Sequence, residues 1–546
     1  MVNCMYIAII MAVYWATEAL PLTATALMPL VAYPFLHIMT AKDTANAYVT
    51  DVSFLFIGGL MMAVAIQQVN LHRRISLLVL LVVGTEPARL MGGIMAVTAF
   101  LSMWISNTAS SAMMVTVAIA LLSELIKAQR QAGPAASRTN SAAVHPAETE
   151  NGSLPTMADV AVDKEAPIVL SRKTLSKQEQ GMCRCFLLAV AYSASLGGTA
   201  TLTGTPPNIA MAGLLDKIYG DGQPVNFVTW FMYNGPGMVL NLVFAFFYLQ
   251  FMFVGPHSVL NCFKRQKTSA DASESLRKVL RDQLKVLGGI SFGEVSVSLL
   301  FLTLVSMWFT HGLLWRKYFN VELEDGTSVP YTSDATCAMV VVFICFIWPK
   351  RVPDFVGLCR NEEPRKPVRR EAIFSWEAVE AGVPWGIVLL LGGGFALGAA
   401  VKNTGVSALL GNQIAGLQVS SFWLLIISMA MITYTTEFTS NTATANIIMP
   451  ITMSVAEKRC INPLYLLLPV SEAASFAYML PIATPPNAIV FSTGIIHVSD
   501  MIKAGFLMNI WCMLEVLLSI HTWGTAIFQL GEGFPLWAGN STGCLV

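Results

Sequence analysis

Two chemically matched motif pairs recur in this chain, and none of their residues is charged. Ser106-Asn107-Thr108 is followed downstream by Gly204-Thr205-Pro206-Pro207-Asn208, and Ser440-Asn441-Thr442 by Ala483-Thr484-Pro485-Pro486-Asn487. Each SNT lies 48 residues after the first glycine of a cluster, Gly58-Gly59 in one half and Gly392-Gly393-Gly394 in the other. Hydroxyl, amide and exposed carbonyl oxygens suit a hard cation such as sodium. Amide and hydroxyl donors and free helix N-termini suit a carboxylate. Ser102 stands one helical turn before Ser106, and Thr436 one turn before Ser440, so each motif has a second oxygen on the same face. A lone Ser or Asn in a membrane helix ordinarily makes an interhelical hydrogen bond; duplication of the whole set in the same order favours a site instead. With no basic residue in the four motifs, substrate charge would be met by dipoles and bound Na⁺.

The segments that must position these motifs are apolar. Of the residues, 55% are hydrophobic and 12% charged, with a mean hydropathy of +0.61, against roughly 25% charged in soluble domains. Blocks at 5–38, 52–69, 227–254, 295–314 and 506–530 approach or exceed the ~20 residues that cross a bilayer as a helix. The sequence therefore predicts an all-α membrane protein with about ten transmembrane helices plus two re-entrant hairpins. The 33 basic and 33 acidic residues balance, which gives no electrostatic reason to expect nucleic acid. No cleavable signal peptide is evident, because the first apolar block has no basic leader and carries Glu18.

Loop charge sets the orientation. Basic residues concentrate at 127–180, 264–285 and 350–370, whereas 315–334 is acidic and the tail beyond Gly531 has no Lys or Arg. The positive-inside rule places the basic loops in the cytoplasm and the tail outside. The first SNT segment then enters and leaves from the cytoplasm, and the second from the outer side. This predicts an inverted repeat: residues 1–254, with a hairpin at about 87–126, a cytoplasmic linker at 127–182 and a broken helix at 183–215; a second cytoplasmic linker at 255–290; and 291–530, with a hairpin at about 420–458 and a broken helix at 463–498. Residues 531–546 form an extracellular tail. Inverted repeats whose broken helices meet near the midplane characterise secondary transporters. Each Pro-Pro pair should end one half-helix and open the next. The sequon Asn540-Ser541-Thr542 falls in the outer tail and is the candidate glycosylation site; Asn151-Gly152-Ser153 falls inside and should be silent.

The two SNT motifs, the paired TPPN segments and the run from Leu480 to Phe491 resemble the divalent-anion/sodium symporters of solute carrier family 13. Residues 15–29, 70–74, 104–110 and 197–208 also resemble its animal sodium–dicarboxylate and sodium–citrate members. The resemblance implies a first sodium site at Ser102, Ser106, Asn107 and Gly204, and a second at Thr436, Thr439, Asn441 and Ala483. It implies substrate contacts at Asn107, Thr108, Thr205, Pro206, Asn441, Thr442, Thr484 and Pro485. It further implies a homodimer with a fixed scaffold and a transport domain that moves as an elevator, in the plasma membrane, with no organic cofactor and no covalent catalysis. Relatives begin with one more membrane helix, which this chain is expected to lack. Thr442 and Pro206 depart from the animal dicarboxylate pattern towards the microbial one, which widens the substrate expectation.

The leading expectation is thus Na⁺-coupled symport of di- and tricarboxylates such as succinate and citrate. Sulfate is the rival substrate, a sodium-independent exchanger or channel the rival mechanism; the lack of a convergent His/Cys/Asp cluster speaks against an enzyme. Glu18 and Glu437 are intramembrane carboxylates, with a structural role preferred for Glu437 and capping weighed equally with function for Glu18. His72-Arg73-Arg74 reads as an interfacial anchor opening a helix along the membrane surface. The ten cysteines read as small apolar packers.

Overall fold

The computed structural model describes residues 1–132, 172, 174–220, 223–256, 270–311, 320–322, 328–351, 371–406, 409, 419–531, 533–539 and 544. The first half runs α1 (Val2–Thr17), α2 (Leu22–Ala26), α3 (Met28–Phe35), α4 (Ala41–Tyr48), α5 (Asp51–Gln68) and α6 (Leu71–Val83). It continues as α7 (Pro87–Ser102), α8 (Asn107–Ala132), α9 (Lys177–Ala200), α10 (Pro206–Tyr219) and α11 (Phe227–Phe253). Next come α12 (Ala270–Val286), α13 (Phe292–Thr310), a two-stranded antiparallel ribbon of β1 (Asn320–Glu322) and β2 (Ser328–Pro330), and α14 (Asp334–Ile347). The second half follows with α15 (Trp376–Gly382), α16 (Trp385–Asn403), α17 (Ser421–Thr436), α18 (Asn441–Lys458), α19 (Pro463–Ala473), α20 (Pro485–Ser492) and α21 (Val498–Ser519). A π-helical turn, Ile520–Gly524, continues α21.

The expected all-helical character holds, the short ribbon aside. Seven helices among the described residues are long and apolar enough to cross a membrane; five apolar helices are shorter, among them α7 and α17, the first arms of the two hairpins. Sixteen residues rise about 24 Å as a helix, short of a ~30 Å hydrocarbon core. Breaks have local causes. Thr50 and Ser53 form a capping box that starts α5 afresh two residues after α4. Ser176 and Glu179 form another, so α9 begins at Lys177, six residues before the position read from hydropathy.

At the centre stands α9, buried at nearly every position from Gly181 to Ala200 and packed on α7, α8 and α11. Its small residues allow this: a Cβ at Gly197 would collide with the Ala99 carbonyl of α7. A second apolar cluster joins Cys4, Met11, Trp15, Tyr33 and Tyr48 to Leu390, Ala396 and Val401 of α16, so the N-terminal helices lean on the second half.

Two sequence readings are corrected. Arg74 does not anchor at an interface. It is buried, with Nε 2.6 Å from Glu294 Oε1 and its remaining donors on the carbonyls of Leu287, Gly288 and Gly289. The helix-entry carboxylate of α13 drew it inward, and a 220-residue separation hid that partner. The cysteines are not all packers: Cys460 and Cys544 form a disulfide across 84 residues, whereas Cys4, Cys183, Cys185, Cys337, Cys345 and Cys512 are free and buried. Asn540, Asn151 and most of the first linker lie outside the described residues.

Candidate functional site

The first SNT occupies the tip between α7 and α8, with the helix restarting at Asn107. The Ser102 hydroxyl lies 2.6 Å from both Asn107 Oδ1 and the Ala194 carbonyl of α9. One hydroxyl proton can serve only one of these acceptors, so the cluster has oxygen to spare. Its floor is glycine: a Cβ at Gly198 would fall 2.7 Å from Asn107 Oδ1 and 3.1 Å from the Gly204 carbonyl. Ser102, Asn107 and Gly204 are therefore brought together. Ser106 instead uses its Oγ to accept the Ala109 amide. Thr108 is exposed at the tip. Thr205 is the buried N-cap of α10, with Pro206 in its first turn.

The second half carries the matching motif on different contacts. Thr436 is buried and donates to the Thr433 carbonyl; Thr433 in turn reaches the Ala473 carbonyl at 3.5 Å. Thr439 meets Thr444. Asn441 Oδ1 is buried without a partner, and Thr442 is buried beside it. Thr484 caps α20 by accepting the Asn487 amide, with Pro485 in the first turn. Among the described residues no hydrogen bond joins Thr436, Thr439, Asn441 and Ala483 to one another.

The strongest symmetry lies in residues that sequence reasoning quoted but did not assign. Asn208 donates to the carbonyls of Gly198 and Thr201 at 3.3 and 2.9 Å, and Asn487 to those of Ala477 and Leu480 at 2.9 and 3.0 Å. The offsets, ten and seven residues back, are identical. The Gly204 amide donates to Thr201 O and the Ala483 amide to Leu480 O, so both turns fold alike. Each asparagine is fully buried and each leaves its Oδ1 unpaired. Unwound backbone at this depth needs such satisfaction. The signal was present in the sequence, as the final letter of both TPPN motifs.

The halves interlock crosswise. The distal half-helix α20 of the second repeat packs on α8 and α9, and α10 of the first packs on α16 and α18. Ser471 of α19 donates to the Pro207 carbonyl at 3.2 Å. The glycine clusters join in: Gly59 lies against Thr203 of the first turn, and Gly394 against the Asn446 side chain of α18.

Residues 1–530 match the sodium:sulfate symporter transmembrane region. The chain belongs to that family. It is 39% identical over 554 residues to the mouse Na(+)/citrate cotransporter, covering 99% of this chain and 93% of the relative. It is 40% identical over 551 residues to human solute carrier family 13 member 2, covering 99% and 91%. Among solved structures it is similar in fold to Neisseria gonorrhoeae MtrF, at 12% identity and a TM-score of 0.50, over 90% of this chain and 84% of that one. The family fits a duplicated site built of neutral oxygens between interlocked halves, and the protein is a multi-pass membrane transporter.

Both membrane carboxylates singled out earlier have structural settings. Glu18 is exposed and ends α1 in the left-handed region, φ 51°. Glu437 is buried and accepts the backbone amides of Tyr478, Met479 and Leu480, plus Asn509 Nδ2 at 2.7 Å. It thereby fixes the middle of the second unwound segment to the second hairpin tip.

Proposed function

We propose that the protein is a sodium-coupled symporter of dicarboxylates and citrate. The observation that carries this reading is the pair of turns closed by the same asparagine clamp, each beside a hairpin tip rich in neutral oxygens and free of basic side chains. Sodium would sit in the first half among Ser102, Ser106, Asn107 and Gly204, and in the second among Thr436, Thr439, Asn441 and Ala483. Substrate carboxylates would lie between the tips and the N-termini of α10 and α20, against Asn107, Thr108, Thr205, Pro206, Asn441, Thr442, Thr484 and Pro485. The substrate class follows the relative named for citrate and the dicarboxylate resemblance of the motifs rather than the sulfate in the family's name.

The inverted halves would work as an elevator in a plasma-membrane homodimer, with residues 1–254 and 291–530 as the two repeats. The Cys460–Cys544 disulfide supports an outer location for the tail and for the distal end of α18, because such bonds persist in oxidising compartments. That agrees with a second hairpin entered from outside. Uptake of labelled succinate, citrate and sulfate, each with and without external Na⁺, tests the reading. Sodium-dependent uptake of the two carboxylates supports it; uptake indifferent to Na⁺, or confined to sulfate, refutes it.

A further inference from the structure

A second set of polar groups sits among α11, α19 and α21, away from the hairpin tips. Glu472 of α19 and Glu515 of α21 are 1% and 4% exposed. Each is met by an asparagine on one face of α11, two turns apart. Asn241 Nδ2 donates to Glu515 Oε2 at 3.1 Å. Asn234, with its amide nitrogen turned to Glu472, donates at 2.8 Å to Oε2 and 3.3 Å to Oε1. Between the asparagines stands Gly237, where a Cβ would fall 2.5 Å from Glu515 Oε1; the carboxyl is pressed against bare backbone. Glu515 Oε1 and Asn241 Oδ1 are both buried without a partner.

The contrast with Glu437 is instructive. That carboxyl collects three backbone amides and an asparagine, so both of its oxygens are met by donors. Glu472 and Glu515 have only the side-chain amides of Asn234 and Asn241, and Glu472 also feels the Glu515 charge. The titratable groups that face them are the acids Tyr233 of α11, Cys512 of α21 and Tyr478 of the unwound segment. On the other packed elements, Glu437 is held by amides 478–480, Glu457 takes the Tyr219 hydroxyl, Tyr434 lies beside Phe506 and His521 bonds Tyr465 at the surface. Asp216, Lys217 and Lys458 stand in the last turns of α10 and α18. The pair therefore lacks a facing cation among the described residues, and an isolated pair of buried anions is untenable. A proton fits where a glycine backbone crowds the carboxyl and leaves no room for a larger ion's oxygen shell.

We propose that Glu472 and Glu515 form a proton-binding site beside the second unwound segment, loaded and emptied during the transport cycle. A proton from water adds to the unpaired Glu515 oxygen and later returns to water, with no other reactant. Two features link the pair to its surroundings. Glu472 stands one residue before α19 ends and the second unwound segment begins, and its neighbour Ser471 bonds Pro207 of the first turn. One turn beyond Glu515, Ser519 donates to the Tyr233 hydroxyl at 3.2 Å, immediately before the π-helical turn. A π turn within an α-helix frequently marks a functional position.

The proposal rests on the transport reading, and the test separates the two. The full chain is reconstituted in liposomes, and labelled succinate uptake is followed under a fixed Na⁺ gradient and constant dianion concentration. For the native protein, uptake should change by about fivefold or more between about pH 6 and about pH 8, as a titrating group within the cycle requires. Glu472→Gln and Glu515→Gln should still transport, with that change reduced below about twofold. Asn241→Ser keeps both carboxyls and removes one donor, so it should move the midpoint of the profile without flattening it; it also serves if the glutamine variants fail to reach the membrane. A flat native profile, or variants that all retain the native profile, overturns the proton site. Absence of any uptake by the native protein overturns the transport reading instead.

Discussion

Gly198→Ala probes the first cluster with a single methyl group. The new Cβ would stand 2.7 Å from Asn107 Oδ1, 3.0 Å from its Nδ2 and 3.1 Å from the Gly204 carbonyl. Ordinary contact begins near 3.4 Å, so the Asn107 amide must retreat by about 0.7 Å. Its approach to Ser102 is already only 2.6 Å, and loss of that bond costs about 0.5–1.5 kcal/mol. Misplacing one oxygen of a cation shell adds to this, so a loss of about 1.4 kcal/mol, tenfold in apparent Na⁺ affinity, is the minimum expected. Helix propensity works the other way, since Ala at a helical position is favoured over Gly by about 1 kcal/mol. Folding should survive while coupling fails. The assay is Na⁺ dependence of succinate uptake, with Gly59→Ala as the control, because its Cβ would meet Thr203 at an ordinary 3.4 Å. Unchanged half-saturation by Na⁺ in Gly198→Ala, with native expression, would refute the reasoning.

Three further outcomes are expected. Asn208→Ala and Asn487→Ala each strip a buried turn of its clamp, at about 1–3 kcal/mol; Na⁺ titration of uptake should weaken by similar factors in both, and an effect confined to one would break the proposed symmetry. Arg74→Met leaves the Glu294 carboxylate buried beside its lost partner, so thermal unfolding in detergent should reveal a loss of about 3–5 kcal/mol, while Arg73→Met, at an exposed position, should show little. After mild reduction of intact cells, a membrane-impermeant maleimide should label Cys460 and Cys544, and labelling only after permeabilisation would place both on the inner side.

Much of this site was legible because its chemistry is local and repeated. The half-helix starts at Pro206 and Pro485 follow from proline itself, and the hairpin arms from apolar blocks interrupted by polar triplets. What escaped notice depends on distant partners. Arg74 carries the same letter whether it snorkels or pairs with Glu294, 220 residues away. Cys460 follows the charged run Glu457-Lys458-Arg459, and nothing near it announces Cys544. Glu472 and Glu515 were passed over because each stands alone in its own segment; only the packing of α19, α21 and α11 places them together. The asparagine clamps were visible as letters, but their role needs the turn, since the carbonyls they hold lie ten and seven residues back, Gly198 in the last turn of α9 and the others on unwound chain.

The central claim is that sodium drives a carboxylate through this duplicated site, and concentrative uptake tests it most directly. Sodium-free proteoliposomes carrying the full chain are placed in labelled succinate with external Na⁺, and internal succinate is followed over time. The account predicts accumulation above the external concentration, collapse on addition of a sodium ionophore, and slower accumulation at sub-saturating Na⁺ in Gly198→Ala. Equilibration without accumulation, or accumulation that persists when the Na⁺ gradient is dissipated, would contradict it.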